Sequence, residues 1–135
     1  MMRYDRMLVL ALLASLAAGS ARANEGACKP AGRHARVPAA RDLTYDAARK
    51  AFLAAGWQPL QTRSADDPAV AYGNGPGFWK KGYTEVETCS GTGLAFCEFL
   101  FKDAFGNRLR VVTAGEEAPE DKSAAMISHT EFVCD

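Results

Sequence analysis

The sequence predicts an α+β fold in which one N-terminal helix packs on a four-stranded antiparallel β-meander. Apolar residues recur at helical spacing between positions 45 and 55. Four β-prone segments joined by short loops follow position 83. Short connections place successive strands antiparallel, and the helix must bury its apolar stripe against one face of the sheet.

The N-terminal segment has the pattern of a secretory signal peptide. A weakly basic start with Arg3 and Arg6 precedes an uncharged run over residues 7–18, and a small-x-small site ends at Ala23. This run is shorter than the roughly 20 apolar residues that a membrane-spanning helix needs. We therefore expect residues 1–23 to be removed after Ala23. Residues 24–135 would then form a single disulfide-stabilised domain in the periplasm or outside the cell.

The charge of the expected mature chain argues against two classes of partner. Once residues 1–23 are set aside, 13 basic and 15 acidic residues remain, a net charge of −2. A nucleic-acid-binding domain would carry a basic patch, which this balanced chain lacks. A second long apolar segment is also missing from its sequence. The sequence thus predicts no nucleic-acid partner and no membrane span in the mature chain.

The four cysteines predict two disulfides. An even cysteine count is typical of small exported domains. Zinc-binding pairs are usually separated by two to four residues, whereas the closest cysteines here have seven residues between them. No metal and no cofactor are therefore predicted. Three pairings are possible. The sequence favours Cys89–Cys97, which flank one hairpin turn, and so leaves Cys28–Cys134.

The elements before the sheet are expected in the following order. Residues 24–41 form an irregular arm tied down only by Cys28. A helix then runs over about residues 45–55, because Thr44 is a suitable N-cap and Gly56 follows the last periodic residue. Residues 60–82 are expected to be irregular, with a glycine-rich loop over residues 72–79.

The strands are expected over residues 83–89, 94–102, 108–113 and 125–134. In the second strand, alternation places Ala95, Cys97, Phe99 and Phe101 on the core face, while the opposite face is mixed in character. Strict alternation in the last strand would place residues 127, 129, 131 and 133 on one face and their neighbours on the other.

Neither glycine-rich motif predicts a catalytic site. The turn Cys89-Ser90-Gly91-Thr92-Gly93 lacks the Gly-x-Ser-x-Gly pattern of a nucleophile elbow, and a hairpin turn is favoured. The motif at positions 73, 75 and 77 lacks the Gly-Lys-Ser/Thr ending of a phosphate-binding loop, which favours a flexible connection. No catalytic residue is assigned.

One cluster of aromatic and cationic residues is a candidate partner-binding surface. Aromatic side chains beside cations are common at protein interfaces. In the alternative interpretation Trp79 folds back onto the sheet and the lysines are solvated. The cluster comprises Phe78, Trp79, Lys80, Lys81 and Tyr83.

Two stretches resemble a group of small exported proteobacterial proteins of unknown function. The first runs from Tyr45 through Gly56-Trp57-x-Pro59, and the second is the Cys-Ser-Gly-Thr-Gly…Cys hairpin that begins at Cys89. The similarity covers about residues 45–113. It implies a location in the envelope of a Gram-negative bacterium and no particular activity. The helix-plus-meander arrangement is also similar to that of periplasmic inhibitor and immunity domains, an analogy of fold alone.

Three functions remain as hypotheses from the sequence. The first is a non-enzymatic exported binding module of the inhibitor or immunity type, with an envelope or secreted protein as its partner. The second is an envelope enzyme with an unusual site around Ser90 or His129. The third is a purely structural envelope protein.

Overall fold

The computed structural model describes residues 28–30 and 32–134 of the 135-residue chain. The predicted signal peptide and its cleavage site lie outside these residues. Within them the chain forms two α-helices, a five-stranded antiparallel sheet and one turn of 3₁₀ helix at Pro119–Asp121.

Helix α1 spans Tyr45–Ala54, close to the predicted bounds. The Thr44 hydroxyl accepts a hydrogen bond from the backbone N–H of Ala47, as an N-cap does. Gly56, with φ of +97°, ends the element. The buried face consists of Tyr45, Ala48 and Phe52. The predicted helix and its cap are confirmed, and its apolar face packs into the core.

The sheet contains the predicted meander and one additional strand. Strands β2 to β5 pair antiparallel in chain order, but the prediction of four strands is wrong, because β1 also joins the sheet. β1 pairs with the C-terminal half of β3 and β2 with the N-terminal half, so both lie along one edge of β3. The bounds are β1 Gln58–Pro59, β2 Val86–Cys89, β3 Cys97–Lys102, β4 Arg108–Ala114 and β5 Met126–Val133.

A second helix, α2, spans Gly75–Lys80 in the segment predicted to be an irregular loop. Pro76 lies in its first turn, where its fixed φ favours the helix and its missing N–H is not needed. Phe78 anchors the helix in the core with no exposed surface. The prediction of a single helix is therefore wrong, because this short helix depends on the burial of Phe78 as well as on its own sequence.

Two glycines in α2 provide a matched test of this packing. A Cβ on Gly75 would overlap the carbonyl oxygen of Val70, whereas a Cβ on Gly77 would meet nothing within 4 Å. We expect Gly75→Ala to lower the free energy of unfolding by about 2 kcal/mol or more, since backbone must move. Gly77→Ala should be neutral or stabilise by roughly 0.5 kcal/mol. Urea unfolding of the two variants measures both; equal effects would contradict the close approach at Gly75.

The core forms between the helices and one face of the sheet. The rings of Tyr45 and Phe99 stack with their centroids 3.8 Å apart, and those of Phe52 and Phe101 lie at 5.4 Å. Cys97, Phe99 and Phe101 have no exposed surface, as predicted for the core face of this strand. Ala95, predicted on the same face, is half-buried and precedes the strand, with a φ of +50°. Burial of such large apolar side chains stabilises the fold by about 1.5–3 kcal/mol for each aliphatic or aromatic residue.

A bulge in β5 changes which side chains face the core. Val112 pairs with His129 and Thr113 pairs with Ile127, so Ser128 is the extra residue. A bulge of this kind shifts the alternation by one position. Beyond it, Phe132 shares the core face with Leu109, and His129 lies on the opposite face. The predicted strict alternation is therefore wrong after Ser128.

The N-terminal arm is held at more points than Cys28 alone. The indole N–H of Trp57 donates to the carbonyl oxygen of Arg36 at 2.9 Å. The carboxylate of Asp103 accepts from the backbone N–H of Ala35 at 2.9 Å and from two N–H groups of Asn107. Burial works against the charged form of Asp103, but these donors hold its pKa below the usual range. The arm is thus fixed to Trp57, directly before β1, and to the loop that follows β3.

Both predicted disulfides are present. Cys28 bonds to Cys134 with a Cα–Cα distance of 5.8 Å. Cys89 bonds to Cys97, and the two residues are directly opposed across the β2–β3 ladder at 4.1 Å. The favoured pairing is confirmed, and none of the four cysteines is free. Two disulfides in a chain of this size fit an oxidising environment.

Candidate partner-binding surface

The turn between β2 and β3 is held in one conformation by several bonds. The Cys89–Cys97 disulfide closes its base, and the N–H of Ser90 donates to the carbonyl of Phe96 at 2.7 Å. The Ser90 hydroxyl donates to the carbonyl of Thr92 at 2.8 Å and accepts from the N–H of the same residue. The cross-link and these bonds restrict the conformations open to the turn.

The glycine-rich segment with glycines at positions 73, 75 and 77 lies against this turn. Gly73 has a φ of +56°, and a Cβ there would overlap the carbonyl oxygen of Ser90. The buried side chain of Asn74 donates to the carbonyls of Ala95 and Gly115, at 3.3 and 2.9 Å. Its Oδ1 accepts from the N–H of Glu117 at 3.0 Å. Asn74 thus ties three loops together around a cleft of about 380 Å³.

Large apolar side chains stand in the solvent around the turn. Leu94 is 66% exposed, Tyr72 is 64% exposed and Phe96 is 40% exposed. Gly91 lies against Tyr72, since a Cβ built on Gly91 would be 3.7 Å from the Tyr72 Cβ. Scattered exposed apolar residues are common on proteins. Three on one cross-linked turn and its neighbouring loop form a candidate partner-binding surface, which we name the stapled turn: residues 90–96 with Tyr72.

Acidic residues border the stapled turn on one side. Glu116 is exposed and lines the same cleft as Ser90 and Thr92. Glu117 has a structural role instead: its side chain is 5% exposed, and Lys81 Nζ lies 2.6 Å from its Oε1. Its other oxygen accepts from the N–H of Ala125 at 2.8 Å. The solvent-facing charge beside the turn is therefore that of Glu116.

The residues of the predicted aromatic-cationic surface do not all reach solvent. Phe78 is fully buried, and Trp79 and Tyr83 pack partly buried against the core. The indole nitrogen of Trp79 is buried without a hydrogen-bond partner. Lys80 and Lys81 keep exposed surface at this site. A partner surface here stays a prediction, and any contact would have to rest mainly on the two lysines.

Lys81 and Tyr83 meet in an ionic cluster with α1. The Tyr83 hydroxyl donates to Asp46 Oδ1 at 2.5 Å, and Lys81 Nζ lies 3.2 Å from the other oxygen. Burial opposes the charged form of Asp46, but these two donors lower its pKa. Burial and the neighbouring Asp46 raise the pKa of Tyr83. The cluster fixes α2 and the following loop to α1, which is a structural role.

A second polar group, centred on Glu85, is sealed inside the protein. The Glu85 side chain has no exposed surface, and its Oε1 lies 2.6 Å from Arg49 Nε. The same oxygen accepts from the Tyr45 hydroxyl at 2.7 Å. Burial, followed by the charge of Glu85, raises the pKa of Tyr45 well above its ordinary value. Because solvent does not reach the Glu85 carboxylate, we assign it a structural role. Its bonds to Arg49 and Tyr45 attach α1 to the residue that precedes β2.

The two residues considered for an enzyme do not form a catalytic pair in the structure. The Ser90 hydroxyl is engaged with Thr92. The exposed His129 ring faces Ser128, with Nδ1 3.3 Å from its hydroxyl oxygen. No hydrogen bond joins Ser90 to His129, and residues 28–30 and 32–134 contain no group of three or more potential metal ligands.

The comparisons with known proteins match nothing to this chain: no family model, no curated protein and no solved structure. Among the residues with described positions, no helix is both long and apolar enough to cross a bilayer.

Proposed function

We propose that this chain is an exported, non-enzymatic binding module that recognises an envelope or secreted protein, in the manner of an inhibitor or immunity protein. The observation that carries this proposal is the stapled turn, where exposed apolar side chains stand on a cross-linked backbone. The two disulfides support an oxidising compartment such as the periplasm.

The energetic argument rests on preorganisation. Ordering a loop on binding costs conformational entropy, about 1–2 kcal/mol for each residue whose backbone becomes fixed. The disulfide and the hydrogen bonds of Ser90 already order the turn in the free protein, so binding would lose less conformational entropy. The burial of Leu94, Phe96 and Tyr72 against a partner would then contribute directly to affinity. Glu116 at the border favours a partner with basic residues around its binding pocket.

The proposal is tested by exchanging apolar for polar side chains at the turn. Leu94→Ser combined with Phe96→Ser should abolish capture of a discrete protein from the host envelope extract. Truncating central interface residues commonly costs 2 kcal/mol or more, about a 30-fold loss of affinity. Leu53→Ser is the matched control, because Leu53 is 41% exposed on α1. Quantitative pull-down with each immobilised variant provides the measurement.

Folding must be checked alongside capture. Because the altered side chains are exposed, the melting temperatures of all three proteins should agree within a few degrees. If the same protein is captured equally by the turn variant and by the wild type, the stapled turn is not the binding surface. If no protein is captured by the wild type from any host fraction, the structural-protein hypothesis gains support.

A further inference from the structure

Within residues 28–30 and 32–134, the arm covers the outer edge of β5 only at its two ends. Near the start of β5, Thr44 bridges Met126, and the backbone N–H of Ile127 donates to the carbonyl of Leu43 at 2.8 Å. Near its end, Cys28 bridges Phe132. Between these points the arm leaves β5 to pack against Trp57 and Asp103. No backbone hydrogen bond joins positions 128–130 to the described part of the arm.

This departure leaves a groove along the middle of the strand. One cavity of about 300 Å³ lies between arm residues 38–41 and strand residues 127–130. A second, of about 460 Å³, lies between arm residues 28–30 and 34 on one side and strand residues 130–132 on the other. The two cavities share Thr130, so together they follow β5 from Ile127 to Phe132. At about 3.3 Å per residue, the uncovered stretch 128–131 is roughly 13 Å long.

The charges that line the groove are mainly positive. Lys29 and Arg41 are exposed at its opposite ends, and no acidic side chain of the described chain pairs with either of them. His34 and His129 also line it. The one carboxylate in the lining, Glu131, is 2.9 Å from Arg110, whose guanidinium also pairs with Glu98 at 3.2 Å, so Lys29 and Arg41 outnumber it in the groove. An occupant that carries carboxylates would complement this lining.

We propose that this groove binds an extended acidic peptide, which adds to the sheet as a short strand beside β5. Alternate residues of an edge strand direct their N–H and C=O groups away from the neighbouring strand, and an added strand satisfies them. Main-chain bonds supply affinity, while Lys29 and Arg41 select acidic side chains. This site is separate from the stapled turn and does not depend on it.

A second copy of the chain fits this edge less well than a peptide does. In each copy the arm flanks β5 at both ends, through the bridges at Met126 and Phe132. Two such edges would have to bring their arms together before the open stretches paired. They would also bring Lys29 and Arg41 of one copy towards the same cations of the other, which is unfavourable. A free peptide carries no arm and needs to pair only about four residues with the open stretch, so it meets neither obstacle.

The test is a titration followed by backbone-amide NMR on the protein with both disulfides intact. The probe is the end-blocked hexapeptide Val-Glu-Val-Glu-Val-Glu, compared with Val-Lys-Val-Lys-Val-Lys. The glutamate peptide should shift the amide signals of residues 128–131, and the lysine peptide should bind at least about tenfold more weakly. The variant with Lys29→Glu and Arg41→Glu should reverse this preference. The matched control, Lys50→Glu with Lys80→Glu, makes the same change in net charge on exposed residues outside the groove.

A peptide with N-methyl groups on its central amides separates strand addition from simple charge attraction. Its binding should fall at least about tenfold, because it lacks main-chain donors. Any of three titration results would overturn the proposal: equal binding of the methylated peptide, no shift at residues 128–131, or an equal loss of affinity in the control variant. Self-association of the free protein through residues 128–131 would overturn it in favour of a second copy.

Discussion

Replacing Cys28 and Cys134 together by serine is expected to lower the free energy of unfolding by about 5 kcal/mol. The bond joins residues 106 positions apart, so it removes more freedom from the unfolded chain than a bond that closes a short loop. Neither cysteine belongs to the buried core, so the substitution leaves no large cavity. Urea unfolding of the variant and the wild type, without added oxidant or reductant, would measure the difference in the free energy of unfolding.

The Cys89–Cys97 bond is the natural comparison. Its cysteines are 8 positions apart, and loop-closure entropy gives a stabilisation of roughly 2.5 kcal/mol for a loop of this length. Cys89→Ala with Cys97→Ala should therefore cost less than the change at the termini, even though Cys97 is buried. A larger loss for the short-loop pair would mean that loop closure is not the main contribution of these bonds.

The parts of the fold that the sequence predicts correctly are those encoded locally. Helix α1 has an apolar repeat, a threonine cap and a terminal glycine that all agree, and each is present in the structure. The order of β2 to β5 follows from short connections, which bring successive strands side by side. The pairing of Cys89 with Cys97 depends on the same hairpin.

The parts that the sequence does not predict depend on distant contacts. Strand β1 has two residues, one of them Pro59, and exists because the chain passes along β3. Helix α2 forms where Gly75 fits against the Val70 carbonyl and Phe78 enters the core. The bulge at Ser128 is set by pairing with β4 and leaves no mark in a strand of alternating character. The periodic pattern of apolar residues in the sequence predicts none of these three features.

The sequence predicts only part of the stapled turn. A hairpin turn at residues 90–93 is predicted from its glycines, but its neighbours Tyr72 and Asn74 come from a segment far back in the chain. The exposed Leu94 and Phe96 precede a strand that looks continuous from residue 94, whereas β3 begins at Cys97. The aromatic-cationic cluster shows the opposite error: Phe78, which the sequence predicts on an exposed partner-binding surface, is buried.

Each disulfide stabilises one of the two proposed surfaces. Cys89–Cys97 closes the base of the stapled turn, and Cys28–Cys134 fixes the arm beside the end of the β5 groove. Reduction should therefore weaken binding at both surfaces by increasing the disorder of the free protein. Binding at both surfaces would then be stronger in an oxidising compartment than in a reducing one.

Arg49→Met is expected to be among the most destabilising single changes, at about 3–5 kcal/mol. It removes the cation beside Glu85, whose carboxylate has no exposed surface, and leaves a buried charge with the Tyr45 hydroxyl as its remaining side-chain donor. Arg63→Met is the control, because Arg63 forms a more exposed ion pair with Glu87, and such pairs contribute about 1 kcal/mol or less. Thermal and urea unfolding of both variants would give the comparison.

Adding Glu85→Gln to Arg49→Met identifies the cause of the loss. If an uncompensated buried charge is responsible, the neutral glutamine should recover a large part of the stability, because the amide can still accept from Tyr45. If the double variant is as unstable as the sum of the two single variants, the contribution of Arg49 is packing against Tyr83, over whose ring its guanidinium lies at 4.7 Å. The buried pair would then be incidental to the attachment of α1 to the sheet.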